Sequence, residues 1–411
     1  MHQATTDLLL SRRELSSIVA TIARWCGDLE DAEDAVQEAL LRALDGWRGG
    51  RRPDNAAAWL VTVARRLVLD RRRHDQVRAL AASELEWMEN ARLQHAAQPQ
   101  TFTDDVLGML IGCADCRLPT EAQTVLALRY VAGLGIPEIA RAFLCSETAL
   151  EQRLVRAKRA ARTLRIRFES PGPGLLAERL PAIHLTIFLI FNEGYSATQG
   201  SALLSNEACE EAIYLTEQLL RLAPDSAETL GLLALMKLQA ARADARVGAD
   251  GALVRLQDQD RSRWNSQYID DAFHLLRRAR ATGQIPGLYE LQAAIALHHA
   301  QAASFDETDW LAIVGLYDCL LRLQSDVVTR LNRAIAVGMA KGAAMGLALV
   351  EPLSREEHSY PLVAAVRADL LCRLGRFHDA AEAFEKAARA TQNLVERAFL
   401  ESRIAECHRR S

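Results

Sequence analysis

The sequence predicts an all-α protein built from several helical units. Three observations carry that prediction. Almost every segment has the three-to-four residue apolar period of an amphipathic helix, and strand-like alternation is scarce. The run Ser170-Pro-Gly-Pro-Gly174 is a break that no helix crosses easily. At 411 residues the chain is also too long for one ordinary core. Half the residues are apolar and a quarter charged, a globular composition whose net charge of −4 hides strong local patterning.

Taken in order, residues 28–44 form the first clear helix, with Leu29, Ala32, Val36, Leu40 and Ala43 on one side. Opposite them runs a polar stripe of Asp31, Asp34, Gln37 and Glu38. A turn-rich loop, residues 48–55, ends in Asp54 or Asn55 as N-cap. The next long helix carries Trp59, Leu60, Val63, Ala64 and Leu67. Residues 79–104 show no sustained period and read as an acidic, flexible linker. Three shorter helices are expected over about 105–166, and helix follows helix from residue 175 to the end. The expected domains are therefore 1–78, 105–168 and 175–411.

Charge is segregated along the chain. Residues 48–78 hold nine arginines against Asp54, Asp70 and Asp75, a balance of +6. Residues 129–167 hold nine Arg and Lys against Glu138, Glu147 and Glu151, again +6. Between them Glu84, Glu86, Glu89, Asp104 and Asp105 stand against Arg92. Two basic modules on an acidic tether point to two contacts on one polyanion.

Residues 121–163 read as a helix–turn–helix. Glu121–Tyr130 supports a turn at 132–135 and a short helix at 137–143. Ser146 caps a third helix whose stripe is Leu150, Leu154, Ala157 and Ala161. The other side presents Thr148, Glu151, Gln152, Arg156 and Arg159, flanked by Arg153 and Lys158. Short polar, amide and guanidinium groups in that arrangement reach base edges and phosphates in a major groove.

These two modules together resemble the extracytoplasmic-function (ECF) sigma factors of the sigma-70 family. The run from Asp28 through Trp47, then Pro53, Trp59-Leu60, Val63-Ala64-Arg65 and Leu69-Asp70-Arg71, is similar to their region 2. Leu118-Pro-Thr-Glu-Ala-Gln123, Leu128-Arg-Tyr130, Gly133-Leu134, Glu138-Ile-Ala140 and Arg153-Leu-Val-Arg-Ala-Lys158 resemble region 4. The resemblance implies core RNA polymerase (β and β′ subunits) as partner, with Asp31, Asp34, Gln37 and Glu38 binding the clamp helices of β′. It implies that Arg51, Arg52 and Asn55 help capture a flipped base of the −10 promoter element. Arg65, Arg66, Arg71 and Arg73 would hold the DNA backbone there, with Arg66 standing where many members have Asn. The third helix would read the −35 element.

The remaining helices carry a weaker pattern. Leu374-Gly-Arg-Phe377, Ala380, Phe384 and Ala387 follow half a tetratricopeptide (TPR) repeat, faintly echoed by Ala212 and Ala223-Pro224. With Phe191-Asn-Glu-Gly-Tyr195, Gln259-Asp-Arg-Ser-Arg-Trp264, Leu291-Gln-Ala-Ala-Ile295, Thr308-Asp-Trp310 and Leu331-Asn-Arg-Ala334, the region resembles the C-terminal domain of an ECF subgroup with a fused TPR-like extension. Within it Asn192, Glu193, Tyr195, Gln259, Asp260, Arg261, Trp264, Gln292 and Trp310 form a polar, aromatic set. It reads either as a buried hydrogen-bonded network or as a groove for a peptide, a small effector or the chain's own DNA-binding modules.

Other chemistry is not expected. Cys113 and Cys116 have ligand spacing but no companion pair, so no metal is expected there. No nucleophile–base–orienter set or phosphate-cradling glycine loop appears, so neither cofactor nor enzymatic activity is expected. The N-terminus lacks the order of a secretory signal, and the longest apolar run, Ala182–Phe191, is about half of the roughly 20 residues a spanning helix needs. The expected location is the cytoplasm, away from membranes. The alternative is a helix–turn–helix regulator with a TPR sensor, acting outside the polymerase; it leaves the acidic helix and basic loop of residues 28–75 without a purpose.

Overall fold

The computed structural model describes residues 10–47, 52–80, 102–143, 145–168, 173–195, 206–246, 248, 254–354, 362–391 and 394–411. Among the described residues there are α-helices, three short 3-10 turns and no strand. The chain divides into two compact units. One is Met1–Asn192 with Glu210–Leu222, the other Glu193–Cys209 with Ala223–Ser411.

The first unit opens with α1 (Arg12–Cys26), started by a reciprocal Ser11–Glu14 capping box and ended by Gly27 at φ 75°. That left-handed turn suits glycine because a Cβ would crowd the backbone. Helix α2 (Leu29–Gly46) follows immediately. Asp28 caps it by accepting from the Glu30 and Asp31 backbone N–H groups at 2.8 and 3.0 Å. Such a cap is worth about 1 kcal/mol. Helix α3 (Ala56–Leu80) starts where the sequence places it, with Asn55 accepting from the Ala58 N–H at 2.9 Å. Helices α1, α2 and α3 pack on one another around Ile18, Ile22 and Leu60.

Four helices, rather than three, follow before residue 168. The additional one is α4 (Phe102–Cys113), whose first residues were expected in the linker. The body of that linker, residues 81–101, lies outside the described residues. Helix α4 packs on α1, and Asp105 accepts from Thr21 at 2.8 Å and Arg24 at 2.5 Å. Burial of Val106, Met109, Leu110 and Ile111 explains the helix: this run has too few polar positions to show a period. Helices α5 (Thr120–Tyr130), α6 (Ile136–Ala142) and α7 (Glu147–Thr163) form the helix–turn–helix. Gly133, at φ 64°, makes the turn before α6.

Helix α8 (Pro173–Tyr195) begins just past the Pro-Gly break, and up to Asn192 it belongs with the first unit. Buried Arg179 donates to the Ile111 carbonyl at 3.0 Å and to Asp115 at 2.5 Å. From Gly174 to Tyr195 this helix is long and apolar enough to cross a bilayer, with a mean hydropathy of 1.5. That corrects the expectation of a run too short to span. The expected run, Ala182–Phe191, lies wholly after the Glu178-Arg179 pair, whereas the helix extends through that pair and accommodates Arg179 by pairing it with Asp115. A buried ion pair, with His184 and Thr186 also buried, fits the core helix of a folded domain. Helix α9 is Asn206–Leu222.

In the second unit each helix packs mainly on the next. Helices α10 (Ala227–Ala240), α11 (Ser266–Ala281) and α12 (Leu288–Gln301) make one group, with α10 against both partners. Helices α13 (Trp310–Leu323), α14 (Val327–Lys341), α15 (Ala343–Ser354), α16 (Leu362–Arg373), α17 (Phe377–Ala390) and α18 (Leu394–Arg410) continue as a run of consecutive pairs. Helices α14 and α15 cross at Gly338 and Gly346; a Cβ on Gly346 would stand 2.8 Å from the Gly338 Cα. Two apolar cores result, one around Ile313 and Leu320 and one around Val363, Leu371 and Phe384.

Candidate nucleic-acid interface

The geometry of α7 follows from its cap and stripe. The Ala149 N–H donates to Ser146 Oγ at 3.2 Å, fixing the start of the helix. Leu150, Leu154, Ala157 and Ala161 are all buried, each leucine worth about 1.5–3 kcal/mol. Their burial forces Thr148, Glu151, Gln152, Arg156 and Arg159 outward, and all five are exposed. Arg153 instead reaches Glu121 on α5 at 2.7 Å, bracing the reading helix on its support.

The inner end of α7 meets α2. Lys158 lies 3.4 Å from Glu33, and Arg129 and the Tyr130 hydroxyl donate to the same carboxylate, each at 2.7 Å. Arg162 bonds Asp28 and approaches Glu30 at 3.2 Å and Asp31 at 3.7 Å. Burial alone would raise the Glu33 carboxyl, but Arg129, Tyr130 and Lys158 outweigh it and hold it below the usual carboxylate range. Asp28 is likewise depressed, its burial outweighed by Arg162 and two backbone N–H groups. Asp31 moves the other way, raised by burial and by neighbouring Asp28.

Glu33 is the residue that reading the acidic stripe missed. Its signal was present: Leu29, Glu33, Val36 and Leu40 fall at i, i+4, i+7 and i+11, so a charge sits in the apolar stripe. A buried carboxylate demands cationic partners, and those lie about a hundred residues away.

The expected polymerase-facing residues share the outer part of α2. Asp34 is exposed and 3.5 Å from Arg71; Glu38 pairs with Arg42 at 2.6 Å and Arg71 at 3.2 Å. Gln37 is exposed and Asp31 half-buried. Arg71 thus ties α3 to α2. Arg65 lies over the Trp25 ring at 5.7 Å. Arg66 and Arg73 are exposed, Arg73 only loosely near Asp70 at 3.9 Å. Arg52 sits over Trp47, whose ring meets Trp59 edge-on at 5.3 Å. Arg51 lies outside the described residues, and Asn55 is occupied as the cap of α3.

The comparisons with known proteins fall on these same segments. Residues 10–78 match the family described as Sigma-70 region 2, and residues 110–160 match Sigma-70, region 4. Over 148 residues the chain is 32% identical to the ECF RNA polymerase sigma factor SigL of Mycobacterium tuberculosis, a match spanning 34% of this chain and 77% of that protein. The chain belongs to the ECF sigma factors. It is also 27% identical over 164 residues to the RNA polymerase sigma-H factor of Pseudomonas aeruginosa, covering 38% of this chain and 82% of that one. Residues 179–280 match a family of unknown function (DUF6596). Uncharacterized protein R00370 of Rhizobium meliloti is 41% identical over 390 residues, 94% of this sigma factor and 92% of that protein. No solved structure matches the chain.

In the sigma factor's second unit, part of the polar and aromatic set is internally bonded. Arg242 donates to the Tyr195 hydroxyl at 2.9 Å, and Arg246 donates to the Tyr195 carbonyl at 2.8 Å while lying 3.7 Å from its ring. Arg261 donates to the His299 and Ala302 carbonyls and covers Trp264 at 4.7 Å. Gln259 donates to the Val254 carbonyl at 3.1 Å, and Asp260 caps the turn at Ser262. Trp310 meets His299 and Phe305 edge-on, each at 5.1 Å. Glu193 and Gln292 are half-buried; Asn192 ends the first unit. Cys113 is buried and pushed up to about 12 by burial, while Cys116 lies 3.8 Å from Glu178. Among the described residues no three metal-ligating side chains converge.

Proposed function

We propose that this sigma factor engages core polymerase through Asp31, Asp34, Gln37 and Glu38 and reads the −35 element with the exposed face of α7. Arg51, Arg52, Arg66 and Arg73 hold the −10 element. The single observation that carries this reading is the two-sidedness of α7. Its stripe is buried, while Thr148, Gln152, Arg156 and Arg159 stand in solvent without an acidic partner among the described residues. Opening DNA costs stacking energy, which capture of an unpaired base partly offsets; phosphate contacts supply affinity, and polymerase performs the chemistry.

The α2–α7 ion pairs add a condition. Arg162 and Lys158 occupy acids on the helix assigned to polymerase, so core binding competes with region 4 for α2. Polymerase then exchanges an internal set of ion pairs for its own. The C-terminal helices, residues 175–411 in the TPR-like reading, support this activity in cis.

Transcription in vitro with core polymerase tests the reading. Full-length Asp31→Lys/Glu38→Lys should fold, lose core binding and lose transcription. Normal activity from the folded double variant would mean the acidic face is only solvated. Cutting the chain after Ser170 is a poorer test, because it removes Arg179 from Asp115 and so alters the first unit as well.

A further inference from the structure

The second unit holds a cleft of about 600 Å³, open to solvent, lined by α12, α13, α14, α16, α17 and α18. That volume lies within the roughly 300–1,000 Å³ of small-molecule sites. One wall is aromatic: Phe305, Trp310, Tyr317 and Phe377, with Ile313 and Met339 between them. Edge-on contacts from Trp310 to His299 and Phe305 hold that wall in shape.

The charges around the cleft nearly cancel, and what remains is informative. Asp369 and Glu406 are both bonded by Arg403, the former at 3.0 Å, and Arg410 meets Glu406 at 3.1 Å. Arg255 is spent on Asp258 at 2.7 Å. Arg373 alone among these lining arginines has no carboxylate partner among the described residues. His299 adds no charge near neutrality, since burial and then Arg242 and Arg261 push it down to about 4. The Cys372 thiol, 3.4 Å from the Cys407 sulfur, adds none either, because burial pushes it up to about 12. Two neutral polar groups on the lining, the Asn332 amide and the Tyr317 hydroxyl, also lack a hydrogen-bond partner among the described residues.

We propose that this cleft is a binding site for a small aromatic carboxylate. The ring lies against Trp310, Tyr317 and Phe377, and the carboxylate takes Arg373, with Asn332 and Tyr317 as neutral donors. Guanidinium matches a carboxylate fork in shape and charge. A single uncommitted arginine suits one negative charge. A phosphomonoester, carrying about −1.5 to −2, would leave charge unbalanced.

Calorimetry on the full-length protein tests the site, with indole-3-acetate as probe and indole-3-acetamide as its uncharged counterpart. Saturable one-to-one binding of the acid is expected, about tenfold or more tighter than the amide, the scale of one charge-assisted contact. Arg373→Gln should abolish that preference; the side chain is exposed and unpaired, so thermal stability should be unchanged. Tyr317→Phe should weaken the acid less. Three results would overturn the proposal: no saturable binding, equal affinity for acid and amide, or an Arg373→Gln protein that still prefers the acid. Tighter binding of 1-naphthyl phosphate than of 1-naphthoate would overturn the carboxylate assignment.

Discussion

Helices α2 and α7 each bury one stripe and turn a charged face away from it, but the two faces are in different states. On α2 the outward acids Asp34 and Glu38 are taken by Arg71, as the cap Asp28 is by Arg162 and the buried Glu33 by Arg129 and Lys158. The outer face of α7 is not, since Gln152, Arg156 and Arg159 point into solvent. A face with no acidic partner among the described residues is poised for an external one. A face already satisfied must exchange partners, and its net gain is the difference between two sets of ion pairs.

Removing the buried member of the set should have the largest effect. Glu33→Ala removes the carboxylate that Arg129, Lys158 and the Tyr130 hydroxyl share, at a cost of about 3 kcal/mol measured by urea unfolding. A loss below about 0.5 kcal/mol, the range of solvated surface changes, would show that the cluster is hydrated and the contrast with α7 false. The pH dependence has a definite sign. The Glu33 carboxyl is depressed in the folded state, so its contribution is complete above its unfolded value of about 4.3 and disappears as pH falls through the folded one. Glu33→Gln should therefore be less stable at neutral pH and lose less on acidification below about pH 5. Asp28, also depressed, keeps part of the slope.

Next come the groups assigned to bases. Gln152→Ala and Arg156→Ala should each weaken promoter binding by about 1–3 kcal/mol and relax choice at one −35 position. Stability should hold, because neither side chain is buried. Unchanged discrimination in both would remove α7 from the groove.

How far these features could be read from sequence depended on range. Asn55 and Ser146 cap the helices expected of them, because a cap is decided within three residues. The Leu150–Ala161 stripe was visible for the same reason. Helix α4 was not, since a run buried on most sides has no period. Glu33 carried a local anomaly but no local partner: Arg129 and Lys158 lie 96 and 125 residues away. Likewise, the Pro-Gly break at 170–174 marks where a helix starts, and the packing of Arg179 on Asp115 decides which unit that helix joins. The cleft of the second unit is assembled from six helices and left no trace in any one of them.

Arg162 sharpens the comparison at lower energy. Its side chain is 52% exposed, so its pairs with Asp28, Glu30 and Asp31 are solvent-screened and worth no more than about 1 kcal/mol in stability. Arg162→Ala should leave unfolding nearly unchanged while tightening binding to core polymerase by up to about fivefold, since α2 is then released more easily. Weaker core binding would instead assign Arg162 to polymerase or DNA.

The smallest effect belongs to Arg159. It is exposed on α7, next to the reading face, and has no carboxylate near it among the described residues. A guanidinium in that position reaches a phosphate more readily than a base edge, and a phosphate contact is blind to sequence. Arg159→Ala should thus weaken binding to matched and mismatched −35 sites by the same factor. The loss should shrink as salt rises, because fewer counterions are released: the slope of log K against log salt falls by about 1. Fluorescence anisotropy over a salt series on both DNAs separates the cases. A loss confined to the matched site, with the slope unchanged, would make Arg159 a base reader and extend the uncommitted face of α7 by one more turn toward Arg162.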